Sequence, residues 1–259
     1  MPSVFVCGAL GRMGTTIGRM VNESPDLDLA GGVDIRSGHF FGKEIVESSR
    51  IDDFLAATQP DIMIDFTVAD AAVSNVKSGA KSGAALVIGT TGFTPAQRTE
   101  MAQAIEGHVP AVISSNFSIG VNIFWKLIRE AAPLLADYDI EVLEAHHRYK
   151  KDAPSGTAKT ILQILDESVG VRKKQYGREG MKEREKQEIG VHVIRGGDIV
   201  GDHSVMFSGN FETISLSHRA YDRSVFAEGA LRAARWVPGR EPGIYGMNDV
   251  LDLVTRPGR

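Results

Sequence analysis

Short apolar runs alternate with helical patterns through the first third of the chain, and this alternation constrains the fold most. The runs SVFVCG, LAGGVD, DIMIDFT, ALVIGTTG and PAVISSNFS are typical of buried strands. Helical patterns separate them, except for a predicted loop between LAGGVD and DIMIDFT. Strands that alternate with helices form right-handed βαβ units around a parallel sheet. Ligands of such sheets bind beyond the carboxyl ends of the strands.

The rhythm changes after about residue 118. GVNIFWKLIREAAPLL is a predicted helix with Ile123, Leu127 and Ala131 in step, and DIEVLEAHH is a predicted strand. Another helix, SGTAKTILQILDESVG, carries an apolar stripe at helical spacing. The charge-rich residues 172–188 indicate a solvated loop or a surface helix.

Three strands are predicted next, in GVHVIRGG, HSVMFSG and FETISLSHRA, and the short turns between them favour an antiparallel meander. The helix in RSVFAEGALRAARWV follows, with alanines on one face. The sequence therefore predicts an α/β protein with two domains. Residues 1–117 plus 226–259 form a Rossmann-like, parallel-sheet dinucleotide-binding domain. Residues 118–225 form an α+β domain with a mixed or antiparallel sheet, for substrate binding and oligomerisation.

Composition excludes several classes of protein. A net charge of −4 over 259 residues and a pI near 6.0 argue against a nucleic-acid binder. The sequence contains no run of 18 apolar residues, so no membrane span is predicted. The N-terminal MPSVFVCGALG does not resemble a signal peptide. The single cysteine, Cys7, excludes an intramolecular disulfide and favours a reducing compartment. We therefore expect a cytoplasmic protein.

A glycine-rich turn follows the first strand. Gly8, Gly11 and Gly14 have GxxGxxG spacing rather than the commoner GxGxxG spacing, and a helix begins within them. Glycines allow close backbone approach, and a helix N-terminus offers N–H donors to a pyrophosphate. Asp34, 20 residues after Gly14, suits a ribose hydroxyl. An ordinary turn is the alternative, but the combination favours a dinucleotide site.

The cofactor choice stays open between NADH and NADPH. Asp34 favours NADH, whereas Arg12 and Arg36 suit the 2′-phosphate of NADPH, unless Arg36 is only a solvated loop residue. GTTG at 89–92 and SSNFS at 114–118 end two further strands. They either line the cofactor cleft or form ordinary turns.

The stretch EAHHRYKKDAPSGTAK, residues 144–159, concentrates positive charge where a helix begins. His146 and His147 point to opposite faces of an extended strand, so both reach one site only if the strand ends near them. Ser155, Gly156 and Thr157 open the next helix, either as a carboxylate or phosphate cradle or as an ordinary N-cap. A metal site is not expected, because no third ligand stands at a suitable spacing.

This stretch resembles the signature of the 4-hydroxy-tetrahydrodipicolinate reductases, the dihydrodipicolinate reductases of the diaminopimelate route to lysine. The resemblance extends through GALGRMG, GTTG, NFSIGVN, RGGDIVGDHSVMF and GIYGMNDVLDL, and so covers nearly the whole chain. One departure concerns cofactor choice. Better-known members carry Glu followed at once by Arg, whereas here Ile35 separates Asp34 from Arg36.

The resemblance implies a homotetramer that uses NADH, NADPH or both to reduce a small cyclic dicarboxylate, and a last helix that returns to the cofactor domain. It implies catalytic roles for His146 and Lys150 in acid–base chemistry and proton donation. The substrate's carboxylates would be held by His147, Lys150, Ser155, Gly156 and Thr157. Cofactor contacts would come from Gly8, Ala9, Leu10, Gly11, Arg12, Met13, Asp34, Gly89, Thr90, Thr91, Ser114, Ser115, Asn116 and Phe117.

The chemistry implied by this family agrees with the residues. Loss of the substrate's hydroxyl as water gives an unsaturated imine, and its reduction requires a hydride and a proton. A histidine and a lysine beside an anion cradle can supply charge and protons. Two competitors remain: another nicotinamide-dependent reductase of a small carboxylate, and a non-catalytic nucleotide sensor. The first would have no reason for the His-His-x-x-Lys run before Pro-Ser-Gly-Thr, and an assay of substrate-dependent cofactor oxidation would separate all three.

Overall fold

The computed structural model describes residues 1–253, and it divides into two compact units. Met1–Ile119 and the segment from Arg223 onward form the first unit, and Gly120–Asp222 forms the second. Residues 254–259, which the predicted first domain includes, lie outside the described residues. None of the helices within residues 1–253 has both the length and the apolar character that a membrane span requires.

The first unit is built around one sheet with helices on both faces. Its strands are β1 (Ser3–Cys7), β2 (Asp28–Asp34), β3 (Gly38–Phe40), β4 (Lys43–Glu47), β5 (Ile62–Asp65), β6 (Ala85–Ile88) and β7 (Pro110–Ile113), with β13 (Gly243–Tyr245) near the end of the described chain. Its helices are α1 (Arg12–Asn22), α2 (Ile51–Thr58), α3 (Ala69–Ser82), α4 (Pro95–Ile105), α7 (Ser224–Trp236) and α8 (Met247–Val250).

The sheet of this unit is parallel except at one edge. Its strand order is β13-β7-β6-β5-β1-β2-β4-β3, and only the β3–β4 pair is antiparallel. Strands β5 and β6 are buried along their whole length, as continuous apolar runs require in a sheet covered on both faces. The α/β prediction with a Rossmann-like parallel sheet is therefore confirmed.

The loop predicted between LAGGVD and DIMIDFT is wrong. This segment contains β3, β4, a 3-10 turn at Ser48–Arg50 and helix α2. Tertiary pairing decides the structure here, because the short β4 gains its hydrogen bonds from β2. Ile45 and Val46 on β4 are fully buried and pack against opposite faces of the sheet.

The last predicted helix belongs to the first unit. Helix α7 packs beside α1, and its residues Ala227, Ala230, Leu231 and Ala234 belong to the core of the first unit. Small side chains suit this close approach between elements. At Gly229, an added Cβ would stand 1.7 Å from the carbonyl oxygen of Phe117.

The second unit contains a mixed five-stranded sheet with helices packed on one face. Its strands are β8 (Asp139–His146), β9 (Lys173–Tyr176), β10 (Glu188–Arg195), β11 (Gly201–Ser208) and β12 (Thr213–Ala220). The two helices are α5 (Ile119–Ala131), which begins at the boundary between the units, and α6 (Gly156–Val169), and a 3-10 turn spans Ala132–Leu135. Apolar residues from both helices pack on Ile140, Val142 and Val205.

The predicted antiparallel meander is wrong in its first step. The strand order is β12-β11-β8-β10-β9, so β8 separates β10 from β11. β10 is parallel to β8, whereas β11 is antiparallel to both β8 and β12. In this arrangement the central strand β8 has a hydrogen-bonded neighbour on each side, so neither of its edges is left unpaired. The mixed sheet of the predicted second domain is confirmed.

Two further predictions in this unit need correction. In α5, Ile123 and Leu127 are more than 40% exposed, and Val121, Phe124 and Ile128 form the buried face instead. The helix has more apolar residues than one stripe, so periodicity alone did not identify the buried face. Residues 172–188 begin with strand β9, because pairing with β10 overrides the local charge density.

Candidate active site

The glycine turn between β1 and α1 is built by backbone contacts. Gly8 has φ +75°, and its N–H and that of Ala9 donate to the carbonyl oxygen of Val33 at 2.9 and 3.2 Å. A Cβ on Gly14 would lie 2.0 Å from the carbonyl oxygen of Gly8, so only glycine lets α1 approach the turn this closely. The first turn of α1 contains no acidic residue that would compete with an anion.

A cavity of about 460 Å³, the glycine-turn cavity, lies beside this turn within the first unit. Leu10 N–H donates to Asp34 Oδ2 at 2.9 Å, and Ile35 N–H donates to Oδ1 at 2.8 Å, so the carboxylate is fixed at the cavity wall. The volume of the glycine-turn cavity suits a small-molecule ligand. The lining residues are Gly8, Leu10, Gly11, Val33, Asp34, Ile35, Arg36, Ser48, Phe66, Thr67, Val68, Ala71 and Asn75.

A buried carboxylate beneath this cavity was not predicted from the sequence. Asp65, at the end of β5, accepts hydrogen bonds from Asn75 Nδ2 at 2.8 Å and Thr90 Oγ1 at 2.6 Å. Thr90 Oγ1 in turn accepts from the N–H of Thr67 at 2.7 Å. The side chain of Thr90 is therefore committed to the protein interior. A charged residue that ends an apolar strand, as in DIMID, was the signal available in the sequence.

Among the other predicted cofactor residues, Gly89 needs to be glycine because a Cβ there would stand 2.3 Å from the Phe66 ring. Thr91 is exposed. Arg12 is also exposed at the start of α1, while Met13 is partly buried against the core. Of the predicted cofactor residues, the cavity gathers Gly8, Leu10, Gly11 and Asp34 within its described lining, and the others lie outside that lining.

The polar loop after β7 is ordered by its own side chains. Ser114 Oγ donates to the carbonyl oxygen of Asn116 at 2.8 Å, and Asn116 Oδ1 accepts from the N–H of Ser118 at 2.9 Å. Ser115 is exposed. Phe117 is buried in the core, with its ring 5.6 Å from that of Phe66, so its side chain supports the structure from inside.

The first unit has the donor set that a dinucleotide requires. A close-packed glycine turn and a helix N-terminus supply N–H donors, and a fixed carboxylate stands at the end of the second strand. Arg36 and Ser48 line the same cavity near Asp34. Backbone donors, a carboxylate and a cation thus lie at one cavity.

In the second unit, strand register explains how a group of buried polar residues forms. Glu144 and His146 lie two residues apart on β8, on the face that carries Ile140 and Val142. His203 on β11 pairs directly with Glu144, and Arg195 on β10 pairs with His146. Together with Ser155, at the N-cap of α6, these residues are called the Glu144 cluster.

Every oxygen of the Glu144 carboxylate has a donor. His146 Nδ1 lies 2.6 Å from Oε2, and the N–H of Ser155 donates to Oε1 at 3.0 Å. The Arg195 guanidinium donates to both oxygens at 2.9 Å each. Glu144 is fully buried, and such a carboxylate is stable only when it is paired in this way.

The two histidines of the cluster meet edge to face, with ring centroids 5.1 Å apart. His203 Nε2 lies 3.1 Å from Ser155 Oγ. Burial, together with the neighbouring His146, lowers the pKa of His203 to about 3, so this ring is neutral near pH 7. Burial raises the pKa of Glu144, but hydrogen bonds from His146 and Arg195 outweigh it and lower that pKa to about 2. Glu144 is therefore a carboxylate.

The predicted substrate residues lie close to His146 and Ser155 of this cluster along the chain. β8 ends at His146, as the pair of histidines required, and His147 begins the following loop. In that loop Lys150 Nζ lies 2.9 Å from Asp152 Oδ1. Ser155 Oγ accepts from the N–H of Ala158 at 3.2 Å and so caps α6, whose first residues are Gly156 and Thr157. The Ser155 side chain therefore serves as an N-cap, and the helix N-terminus is free of acidic residues.

Glu144, His146 and His203 stand close enough together to be considered as metal ligands. The sequence did not suggest this trio, because His203 lies on a distant strand. However, both oxygens of Glu144 already accept hydrogen bonds from Arg195. A metal ion would meet this fixed positive charge, so the donor set favours hydrogen bonding over metal binding.

Glu144, Arg195 and His203 were not predicted as site residues. The signal was available in part, because Glu144 stands at a core-facing position of a strand whose other core-facing residues are apolar. Arg195 and His203 lie in RGGDIVGDHSVMF, next to residues that looked like strand residues. Their role depends on pairing with β8, which a local pattern does not encode.

The fold and these two sites are those of an enzyme of the oxidoreductase class: one unit has a glycine turn at a strand end, and the other holds a buried group of one carboxylate, one guanidinium and two histidines. Models of the dihydrodipicolinate reductase family match both: the model of its N-terminus covers residues 2–117, and that of its C-terminus covers residues 120–251. The chain belongs to the dihydrodipicolinate reductase family. Its cofactor is accordingly a nicotinamide dinucleotide.

Similar proteins match the chain over nearly its whole length. The chain is 73% identical over 253 residues to the 4-hydroxy-tetrahydrodipicolinate reductase of Methanoregula boonei, covering 98% of this chain and 99% of that protein. It is 69% identical to the enzyme of the same name from Methanoculleus marisnigri, covering 98% and 100%. A dipicolinate-bound dihydrodipicolinate reductase from Paenisporosarcina sp. TG-14 has the same fold, with a TM-score of 0.79 at 23% identity, over 95% of this chain and 97% of that one.

Proposed function

We propose that this enzyme reduces 4-hydroxy-tetrahydrodipicolinate to tetrahydrodipicolinate with NADH or NADPH, in the diaminopimelate route of lysine biosynthesis. The observation that carries the proposal is the Glu144 cluster together with two neighbours in sequence. These are the cationic loop that follows β8 and the N-terminus of α6, whose first turn has no acidic residue. These groups suit a dianionic substrate that must receive a proton. The relatives with 69–73% identity carry this enzyme's name.

The first unit, in this proposal, holds the cofactor, and when bound the reduced nicotinamide supplies the hydride. The pyrophosphate would contact the turn formed by Gly8, Ala9, Leu10, Gly11, Arg12 and Met13. Asp34 would accept from a ribose hydroxyl. Further contacts would come from the strand ends at Gly89, Thr90 and Thr91, and from Ser114, Ser115, Asn116 and Phe117. The buried side chains of Thr90 and Phe117 limit those two residues to backbone contacts.

In the second unit, His147, Lys150, Ser155, Gly156 and Thr157 would hold the carboxylates of the substrate, Ser155 by capping the helix start that offers the donors. Helix N–H groups at Gly156 and Thr157 offer donors to one carboxylate, and Lys150 offers charge. His146 is the acid–base residue, and Lys150 is the proton donor that completes reduction. The ion pair with Asp152 holds the Lys150 side chain against its own loop.

Purified protein should oxidise NADH only when 4-hydroxy-tetrahydrodipicolinate is present, with loss of absorbance at the reduced nicotinamide band. A different small-carboxylate reductase would respond to another substrate, and a nucleotide sensor would bind the cofactor without turnover. Dipicolinate, the molecule bound to the structurally similar reductase, should inhibit competitively with the substrate because it presents the same two carboxylates.

The enzyme is proposed to work as a homotetramer. Along β11, His203, Val205 and Phe207 are buried against the helices, whereas Met206 points to the other face and is 37% exposed. Ile194 on β10 is 46% exposed on that same face. An uncovered sheet face with apolar residues supports contact with further copies of the chain. Light scattering at micromolar concentration should give four times the chain mass, and a monomer would contradict this.

Two other predictions accompany this proposal. Residues 1–117 plus 226–259 are proposed as the dinucleotide-binding domain, and residues 118–225 as the domain for substrate and oligomerisation. A cytoplasmic location stays a prediction from the single cysteine. Fractionation of the cells that produce the protein would test it.

A further inference from the structure

The Glu144 carboxylate connects three parts of the second unit. It accepts from His146 on its own strand, from Arg195 on β10 and from the backbone of Ser155 at the start of α6. In the sheet, the backbone of Glu144 lies opposite that of His203 on β11. A fully buried carboxylate with four donors is held in one orientation, because any rotation would break a charge-assisted hydrogen bond.

This orientation decides which nitrogen of His146 carries a proton. An ionised carboxylate only accepts hydrogen bonds, so at 2.6 Å from Glu144 Oε2 the Nδ1 atom must be the donor. The hydrogen bond made by one ring nitrogen fixes the state of the other. Nε2 is then the only nitrogen of His146 that can lose or gain a proton while the bond to Glu144 persists.

A glycine, Gly201, leaves room beside His146 Nε2. A Cβ built on Gly201, at the start of β11, would stand 3.1 Å from His146 Nε2. Only a glycine hydrogen occupies that position. A side chain there would crowd the nitrogen, so the sequence RGGDIVGDH leaves this side of the ring uncrowded.

Arg195 also holds the loop that carries Lys150. Besides its two bonds to Glu144, its guanidinium donates to the carbonyl oxygen of Asp152 at 2.6 Å. The side chain of Asp152 pairs with Lys150 Nζ. A guanidinium presents several donors in a fixed plane, which a lysine cannot do. Arg195 therefore joins the acid–base histidine and the lysine loop through one rigid group.

We propose that Glu144 and Arg195 are positioning residues of the reaction proposed above. Arg195 fixes the Glu144 carboxylate, Glu144 holds His146 with its proton on Nδ1, and Nε2 is the atom through which His146 exchanges a proton with the substrate. Arg195 also fixes the loop that presents Lys150. The inference rests on the proposed function for its chemistry, but the state of the His146 ring can be measured without turnover.

The decisive measurement is the ring-nitrogen spectrum of His146 in protein labelled with ¹⁵N-histidine. The His146 signals are assigned by their loss in His146→Gln. We expect the neutral ring to carry its proton on Nδ1, whereas free histidine prefers Nε2. In Glu144→Gln the Nε2–H form should gain population, because an amide can donate as well as accept. A wild-type ring with its proton on Nε2 would overturn the inference whether or not any variant folds.

Kinetics test the functional consequence. Glu144→Gln should lower kcat by about 10²-fold, the lower end of a general-acid contribution, with a smaller change in KM. Arg195→Lys keeps the charge but loses the planar fork, so its kcat should lie between those of wild type and Arg195→Met. If Glu144→Gln retains both wild-type kcat and the Nδ1–H ring, Glu144 does not position His146.

A matched control exists in the same unit. Arg178 pairs with the buried Glu188, as Arg195 pairs with Glu144, but this pair is outside the Glu144 cluster. Arg178→Lys should therefore retain the wild-type kcat. An equal loss in Arg178→Lys and Arg195→Lys would assign Arg195 a structural role only. Failure of the wild-type enzyme to oxidise NADH with the substrate would instead refute the proposed function, and the ring spectrum would still be read independently.

Discussion

The glycine-turn cavity and the Glu144 cluster are built by different physical means. Backbone groups and missing side chains shape the cavity, as at Gly14, where a Cβ would stand 2.0 Å from a carbonyl oxygen. In the cluster, Arg195 and His146 neutralise and orient a fully buried carboxylate. The first site depends on space and the second on charge. Added atoms should therefore damage the cavity, and changed donors or acceptors should damage the cluster.

The largest expected effect separates chemistry from binding near the cluster. Lys150→Ala should lower kcat by about 10²–10⁴-fold, the usual range for loss of a general acid. His147→Ala should mainly raise KM, because it removes a contact that is made equally in the ground and transition states. Steady-state kinetics at saturating NADH measure both, after each variant has been shown to bind the cofactor. A Lys150→Ala enzyme with wild-type kcat would reassign proton donation to His146 or water.

The charge network should also make the second unit sensitive to acid. The folded-state pKa of His203 is lowered to about 3, below its ordinary 6.5, so the unfolded chain takes up the proton more readily. The stability that depends on an uncharged His203 is fully present above pH 6.5 and is lost as the pH falls toward 3. It is on the order of a few kcal/mol. Glu144 adds a loss below pH 4.5, since its folded-state pKa is about 2.

Thermal unfolding between pH 7 and pH 4 tests this assignment. His203→Gln should unfold at a lower temperature at pH 7 but should lose less stability than wild type between pH 6.5 and 4.5. His39→Gln, at an exposed position of β3, is the matched histidine substitution. Parallel curves for wild type and His203→Gln would show that His203 is not the origin of the acid sensitivity.

Added volume should break the cavity instead. Gly14→Ala forces a methyl group against Gly8 and should cost about 1–3 kcal/mol, the usual cost of overpacking, with weaker NADH binding. Gly11→Ala places its Cβ 3.1 Å from the same oxygen and should cost less. Calorimetric titration with NADH and a thermal melt measure both effects. Dipicolinate binding should stay unchanged in both variants, and an equal loss of dipicolinate and NADH binding would show that the damage is not specific to the cavity.

The smallest effect concerns cofactor choice. We expect both NADH and NADPH to bind, with NADH no worse. Arg36→Ala should weaken NADPH about fivefold and leave NADH unchanged, because an exposed charge contact is worth up to about 1 kcal/mol. Titration of each cofactor into the cofactor-free protein provides the test. A hundredfold preference for NADPH in wild type would show that Asp34 does not set the preference.

Local patterns determined the parts of the structure that depend on neighbours in sequence. The alternation of strands and helices predicted the parallel sheet, and the glycine turn and Asp34, both recognised at strand ends, line one cavity. These features are readable because a βαβ unit places its own turn at a strand end. The strand end at His146 and the helix after Ser155 were likewise encoded locally.

Tertiary structure alone decided which distant residues meet. β10 and β11 pair with the two sides of β8 and not with each other, and this register brings Arg195 and His203 to Glu144 and His146. Strand pairing is a competition among all compatible partners, so its outcome depends on the whole sheet. The sequence supplied a histidine, a lysine and a helix start in one stretch. The carboxylate and guanidinium that orient them came together only through long-range register.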